Sequence, residues 1–196
     1  MSLEEVVEIS DPCWDNIKSN LIEKGKNESM GDLKGRKVGN RYLVVSAQTW
    51  ATGQTAKTWA SYGNEAARKR VIDMNKAERE HSAIEIVGHY HTHVYEHTHG
   101  QKNKDIRCYL GIGEKEDSGL LRAVIKDYDI QESVQIIASV KIKENSKRRS
   151  VEKSTPYAKK LRITFGDGKT GYDVILAAYI LTQENWKEVK IIREGE

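Results

Sequence analysis

Glu85-Ile86-Val87-Gly88-His89-Tyr90-His91-Thr92-His93 is the stretch on which the reading of this chain turns. A short apolar strand, Ala83 to Val87, runs into a glycine and then into alternating imidazoles. Side chains on a strand alternate faces with a period of two, so His89, His91 and His93 share one side and Tyr90 and Thr92 the other. Neighbouring imidazoles on that side stand about 6.5–7 Å apart along the backbone, at roughly 3.3 Å per residue. Two such rings can converge on one ion, and zinc takes histidine nitrogen readily while keeping a water position open in catalytic sites. The plain alternative is a surface histidine cluster that binds metal adventitiously; the apolar strand and glycine leading into the pair argue against it.

Metal folds that use His-x-His make different demands. A metallo-β-lactamase site wants His-x-His-x-Asp-His and a distant histidine, but here Val94 and Tyr95 separate His93 from Glu96, and no histidine follows His99. A cupin needs a later histidine as well. A zinc finger needs paired cysteines, and this chain has only Cys13 and Cys108. The remaining pattern is one whose third ligand is a carboxylate soon after the pair. Asp105, at an expected helix start, is the leading candidate, with Glu96, His97 and His99 as alternatives.

Outward from this stretch, Pro12 at a first helical position and the spacing of Trp14, Ile17, Leu21 and Ile22 on one face predict a helix over 12–24, with Asp11 as N-cap and Gly25 at its end. Arg41 to Val45 reads as a strand, 46–62 as a long loop, and 64–80 as a second helix. Leu120 to Ile125, Val134 to Ile142 and Leu161 to Phe165 read as strands. Tyr172 to Glu184 reads as an apolar-faced helix, and Trp186 to Arg193 as a closing strand or tail. Helices alternating with strands give an α/β or α+β class.

Two blocks together resemble the JAMM (MPN-plus, or JAB-domain) metalloprotease family. Its signature is Glu-x-Met-Gly-x-Leu-x-Gly on an early strand, then a helix, then Gly-x-x-His-[Ser/Thr]-His-Pro, then a serine and an aspartate. Here Glu28-Ser29-Met30-Gly31-Asp32-Leu33-Lys34-Gly35 precedes the histidine block in the right order. The resemblance covers about residues 10–142. It implies an MPN-like fold, a mixed and mostly antiparallel sheet flanked by helices, in a metalloprotease domain over 1–142. Residues 143–196 become a basic linker and an α/β extension.

The resemblance further implies Zn2+ as cofactor, with His91, His93 and Asp105 as ligands and Glu28 as general base. The reaction would be hydrolysis of a peptide or isopeptide bond in a protein or peptide substrate; in several family members that substrate is the tail of a ubiquitin-like protein. Departures are specific. Val94 replaces the family proline and His89 a common tryptophan, and Lys104 occupies the aspartate position, so that Asp105 requires one inserted residue. The oxyanion-supporting serine is missing, with Gln101 or Lys102 at its place. Asp32 and Lys34 stand where the family strand is apolar, which predicts an edge or a wet face. The missing serine supports a second reading: a non-catalytic MPN-like interaction domain with a degenerate metal site.

Composition bounds the rest. With 38% hydrophobic and 31% charged residues among 196, the chain reads as soluble and globular with a heavily charged surface, long enough for one domain with a real core or for two small ones. Its longest apolar run, Val174–Leu181, falls far short of the ~20 residues that span a bilayer. The N-terminal Met-Ser-Leu-Glu-Glu carries no apolar h-region, and there is no disulfide framework, so a cytoplasmic location is expected. Residues 141–162 hold nine Lys or Arg against two Glu. That stretch reads first as a solvated basic linker, and only second as a surface for nucleic acid or an acidic partner.

Overall fold

The computed structural model describes residues 4–25, 27–50, 53–55, 60–62, 65–95, 125–144 and 151–195. The chain opens with strand β1 (Val6–Ile9) and helix α1 (Asp11–Lys24). Ser10, not Asp11, is the N-cap: its Oγ accepts from the Cys13 N–H at 3.2 Å, and Pro12 occupies the first turn. Gly25 ends the helix at φ 60°, in the left-handed region that glycine enters without steric cost, and its N–H bonds the Leu21 carbonyl. Cys13, Trp14, Ile17 and Leu21 form the buried face of α1.

Strands β2 (Met30–Val38) and β3 (Arg41–Thr49) form a hairpin, and β4 (Gly53–Thr55) pairs with β5 (Ala60–Tyr62) in a separate two-stranded sheet. Helix α2 (Glu65–Arg79) leads to β6 (Glu85–Tyr95), which carries the histidines. After a single helical turn at 125–128 come β7 (Glu132–Glu144), β8 (Lys153–Tyr157), β9 (Lys160–Gly166), β10 (Thr170–Thr182) and β11 (Trp186–Arg193).

Pairing runs β11-β1-β3-β2-β6-β7-β10, and β10 returns to β11, so seven strands close into a barrel. β1 lies parallel to both β3 and β11, β6 lies parallel to β7, and the remaining staves are antiparallel. β9 and β8 extend from β10 beyond the closure. This overturns the expected α/β, MPN-like sheet flanked by helices. The decisive element is Thr170–Thr182, expected to be mostly helix and found as a strand buried along nearly its whole length. A continuous apolar run lacks the alternation of a half-exposed strand, and periodicity alone cannot tell it from a buried helix. Its β-branched Val174, Ile175 and Ile180 favour the pleated form. Residues 143–196 are accordingly no appendage, because β10 and β11 are staves that complete the barrel.

One buried cluster draws on every stave, including Ile9, Leu33, Val44, Tyr90, Ile136, Leu176 and Ile191, and Trp14, Ile17 and Leu21 of α1 join it. Alternate residues of the same strands face the other way. Under α2 that second face packs Ile72, Ile86, Tyr128 and Ile130; further along it packs Ile125, Ile137, Ile175 and Tyr179. Gly88 lies where β6 crowds β7, and a Cβ there would stand 1.7 Å from the Val134 carbonyl oxygen. Among the described residues, no helix is long and apolar enough to cross a membrane.

Candidate metal centre

Register sets the site. Antiparallel β2 and β6 pair Met30 with His91 and Asp32 with His89. Parallel β7 then sets Gln135, Ile137 and Ser139 beside His89, His91 and His93. The three histidines occupy one face of β6, as their alternation requires. Glu28 comes just before β2, and its side chain reaches the last of them.

His91 Nε2 and His93 Nε2 face one another at 3.1 Å, with the rings 4.9 Å apart at 80°. The Glu28 Oε1 stands 3.1 Å from His93 Nδ1. A carboxylate only accepts, so this contact calls for a proton on His93 Nδ1, and in the neutral ring that leaves the lone pair on Nε2. Two nitrogens bound to one tetrahedral zinc at about 2.0–2.1 Å stand roughly 3.3 Å apart, so the observed pair fits the ion. Loss of water contact, then the neighbouring His93 and His89 imidazoles, push the half-buried His91 down to about 3. His91 is thus neutral, the form in which imidazole binds metal.

Thr92, between the two rings, turns to the opposite face and is fully buried with Ser29. The Ser29 N–H donates to Thr92 Oγ1 at 2.8 Å, the two hydroxyls lie 3.1 Å apart, and the Thr92 N–H donates to the Ser29 carbonyl at 2.9 Å.

The wet face expected at Asp32 is absent. β2 runs between β3 and β6, and Asp32 is 0% exposed. Trp50 Nε1 donates to Asp32 Oδ1 at 2.9 Å; Asn75 Nδ2 and the Tyr128 hydroxyl donate to Oδ2 at 3.3 and 3.4 Å. His89 Nε2 lies 2.8 Å from Oδ1, an electrostatic contact without hydrogen-bond alignment. This buried group ties β2, β3, α2, β6 and the 125–128 turn together. Sequence reading took Asp32 and His89 as separate departures. Their signal was the matched spacing of Glu28-x-Met30-x-Asp32 against His89-x-His91-x-His93, which pairs an acid with an imidazole at both ends of the row.

Asp105, Gln101 and Lys102 lie outside the described residues, as do Glu96, His97 and His99. Among the described residues, no three ligand-type side chains converge as a complete metal cage. In the basic stretch, Lys159, Lys160 and Arg162 pair with Glu4, Glu188 and Asp173. Glu152 takes Lys18, Arg193 and the Trp14 indole N–H. Among the described residues, these three cations of the stretch lie against the chain's own carboxylates.

No protein-family model matches this chain, and no curated protein matches it. It is similar in fold to the solution structure of protein DSY2949 from Desulfitobacterium hafniense, with 11% sequence identity and a TM-score of 0.51 over 97% of this chain and 94% of that one. At that identity the likeness is one of fold alone.

Proposed function

We propose that the protein is a zinc-dependent hydrolase of peptide or isopeptide bonds, with its metal held by His91 and His93. The observation that carries this reading is the pair of facing Nε2 atoms at 3.1 Å, with Glu28 on the far nitrogen of His93. The amide substrate class rests on the resemblance of the 28–35 and 85–93 blocks to JAMM proteases, and a ubiquitin-like tail is the family's precedent for it.

A bound zinc would supply a Lewis acid and a water acidified toward about pKa 7. His91 and His93 would present their facing Nε2 atoms to it. Asp105 completes the ligand set in this reading, on the strength of the resemblance. Glu28 holds the proton on His93 Nδ1 with one oxygen, which fixes the ring and raises its basicity. The resemblance also casts Glu28 as general base for the attacking water; a carboxylate on Nδ1 lies across the ring from the metal, so that duty would require it to swing off His93.

Zinc content by mass spectrometry, paired with cleavage of an isopeptide-linked fluorogenic ubiquitin-like substrate, tests the reading. The expected result is one zinc per chain, lost in His91→Ala, with cleavage that stops on chelation and returns with zinc. A chain that takes up no zinc overturns it. A zinc-loaded chain inert on every amide tried moves the assignment to a non-catalytic interaction domain, which the replaced family serine favours.

A further inference from the structure

We infer that Thr92 is a positioning residue, whose buried hydroxyl sets the Glu28 carboxylate on His93 and thereby selects the His93 tautomer. The inference deepens the metal-site reading above, but its first test needs no metal.

The argument starts at the end of a ladder. β2 begins at Met30, and its register with β6 begins with Met30 against His91. Ser29 and Glu28 lie one and two residues outside it, where regular strand pairing no longer fixes the chain. Thr92 extends the pairing to Ser29 by other means. Its N–H donates to the Ser29 carbonyl at 2.9 Å, and its side-chain oxygen accepts the Ser29 N–H at 2.8 Å. The side chain thus takes the place of a backbone acceptor, and the hydroxyl pair at 3.1 Å adds a third tie. Both residues are buried, at 0% and 1% exposure, so water does not compete for these bonds.

Thr92 itself turns away from the imidazoles, and its effect passes through the Ser29 backbone to Glu28. The Glu28 carboxylate lands 3.1 Å from His93 Nδ1. A proton kept on Nδ1 leaves the Nε2 lone pair pointing at His91 Nε2. A histidine whose Nδ1 is released favours the other tautomer, with its proton in the space between the rings. The residue between the two histidines therefore sets how one of them presents itself.

Thr92→Val keeps the shape and removes the hydroxyl; Thr92→Ser keeps the hydroxyl. Nitrogen-15 spectra of histidine-labelled, metal-free protein at about pH 8, above the ordinary histidine range, read the tautomer directly. Wild type and Thr92→Ser should show His93 protonated on Nδ1. Thr92→Val and Glu28→Gln should shift it toward the Nε2-protonated form. The zinc Kd of Thr92→Val should rise about 10–100-fold, the usual effect of losing an outer partner of a ligand, and Thr92→Ser should restore it. A merely structural role would lower Tm and leave the tautomer unchanged. A folded Thr92→Val with the wild-type His93 spectrum overturns the inference. If Thr92→Val does not fold, Thr92→Ala, which removes the same acceptor of the Ser29 N–H without putting a methyl in its place, decides: a tautomer shift of the same sign supports the clamp, and an unchanged spectrum overturns it. Should the protein bind no zinc at all, the proposed function falls, while the metal-free spectra still decide the role of Thr92.

Discussion

Glu28 Oε1 and His93 Nδ1 stand 3.1 Å apart, although 64 residues separate them in the chain. A carboxylate on the outer nitrogen of a metal-facing imidazole is the partner that orients a ligand and strengthens it. A glutamate acting only as general base could be neutralised without any effect on the metal. The observed contact gives Glu28 the orienting duty, and the base duty is what the family resemblance adds. Glu28→Gln should weaken zinc binding by about tenfold while still loading at stoichiometric zinc, and should cut turnover by a further 10²–10⁴-fold, roughly the worth of a positioned base. Zinc competition against a chromophoric chelator, run beside single-turnover cleavage of the loaded variant, separates the two. Unchanged zinc affinity would show that the contact does not reach the metal.

Asp32 should be among the most costly positions in the chain to truncate. Its carboxylate has no exposure and accepts from Trp50, Asn75 and Tyr128, with His89 at 2.8 Å. Asp32→Ala strands those buried donors and removes the charge facing His89. A loss of about 3–5 kcal/mol is expected for breaking such a group, read as a lowered urea midpoint with an unchanged m-value. Asp32→Asn keeps acceptor capacity and should cost less. Because the group ties α2 and the 125–128 turn to the barrel, amide exchange in 65–79 should accelerate in the alanine variant before the barrel strands respond. A stability loss under about 1 kcal/mol, the level of an ordinary single substitution, would show that the cluster is not a keystone.

How much of this was legible in the sequence depended on whether the signal was local. Helices α1 and α2 followed from apolar spacing, and β6 from alternation leading into the histidines. The Glu28, His91 and His93 assignments rested on two quoted blocks, and the fold brings those side chains together. Barrel closure was not readable. It depends on Val6 lying parallel to Lys190, a contact across nearly the whole chain with no periodic trace in either short segment. β10 was hidden for a different reason: buried on both faces, it has no polar side to reveal its period. Asp32 misled because a charged residue in a strand ordinarily marks solvent. Only the partners supplied by Trp50, Asn75 and Tyr128, from distant segments, make its burial tolerable.

Cys13 should be chemically silent in the folded protein. It sits on the buried face of α1 with 0% exposure, and that burial pushes its thiol up from 9.0 to about 12. The thiolate is the reactive species, so at pH 8 almost none is present in the native state. Iodoacetamide at that pH, followed by peptide mapping, should leave the Cys13 peptide unmodified without denaturant and label it fully in urea. The linkage sign follows from the same shift. The unfolded chain gives up this proton near 9 and the folded one near 12, so this group's stabilisation is complete below about 9 and is lost as pH rises through that window. Rapid native-state labelling of Cys13 would mean that α1 opens from the barrel far more readily than its packing implies.

His89 and His91 are neighbours on one face of β6 but should behave oppositely when replaced. His91 Nε2 faces His93 Nε2 at 3.1 Å, whereas His89 Nε2 faces the Asp32 carboxylate at 2.8 Å, within the ring contacts of Trp50 and Tyr128. Two residues of register thus divide a metal-facing imidazole from one engaged in the core. His91→Ala deletes a ligand from a half-exposed position and should abolish stoichiometric zinc with a small change in Tm. His89→Ala leaves the His91 and His93 pair in place, so zinc should still bind, but it opens a cavity and leaves the Asp32 charge facing it. The destabilisation should be on the order of 3 kcal/mol or more. Zinc content and thermal melts on the same two preparations decide the matter. Loss of zinc in His89→Ala with an unchanged melt would make His89 a ligand and shift the metal one rung along the strand. Retention of zinc in His91→Ala would remove the pair on which the metal site rests.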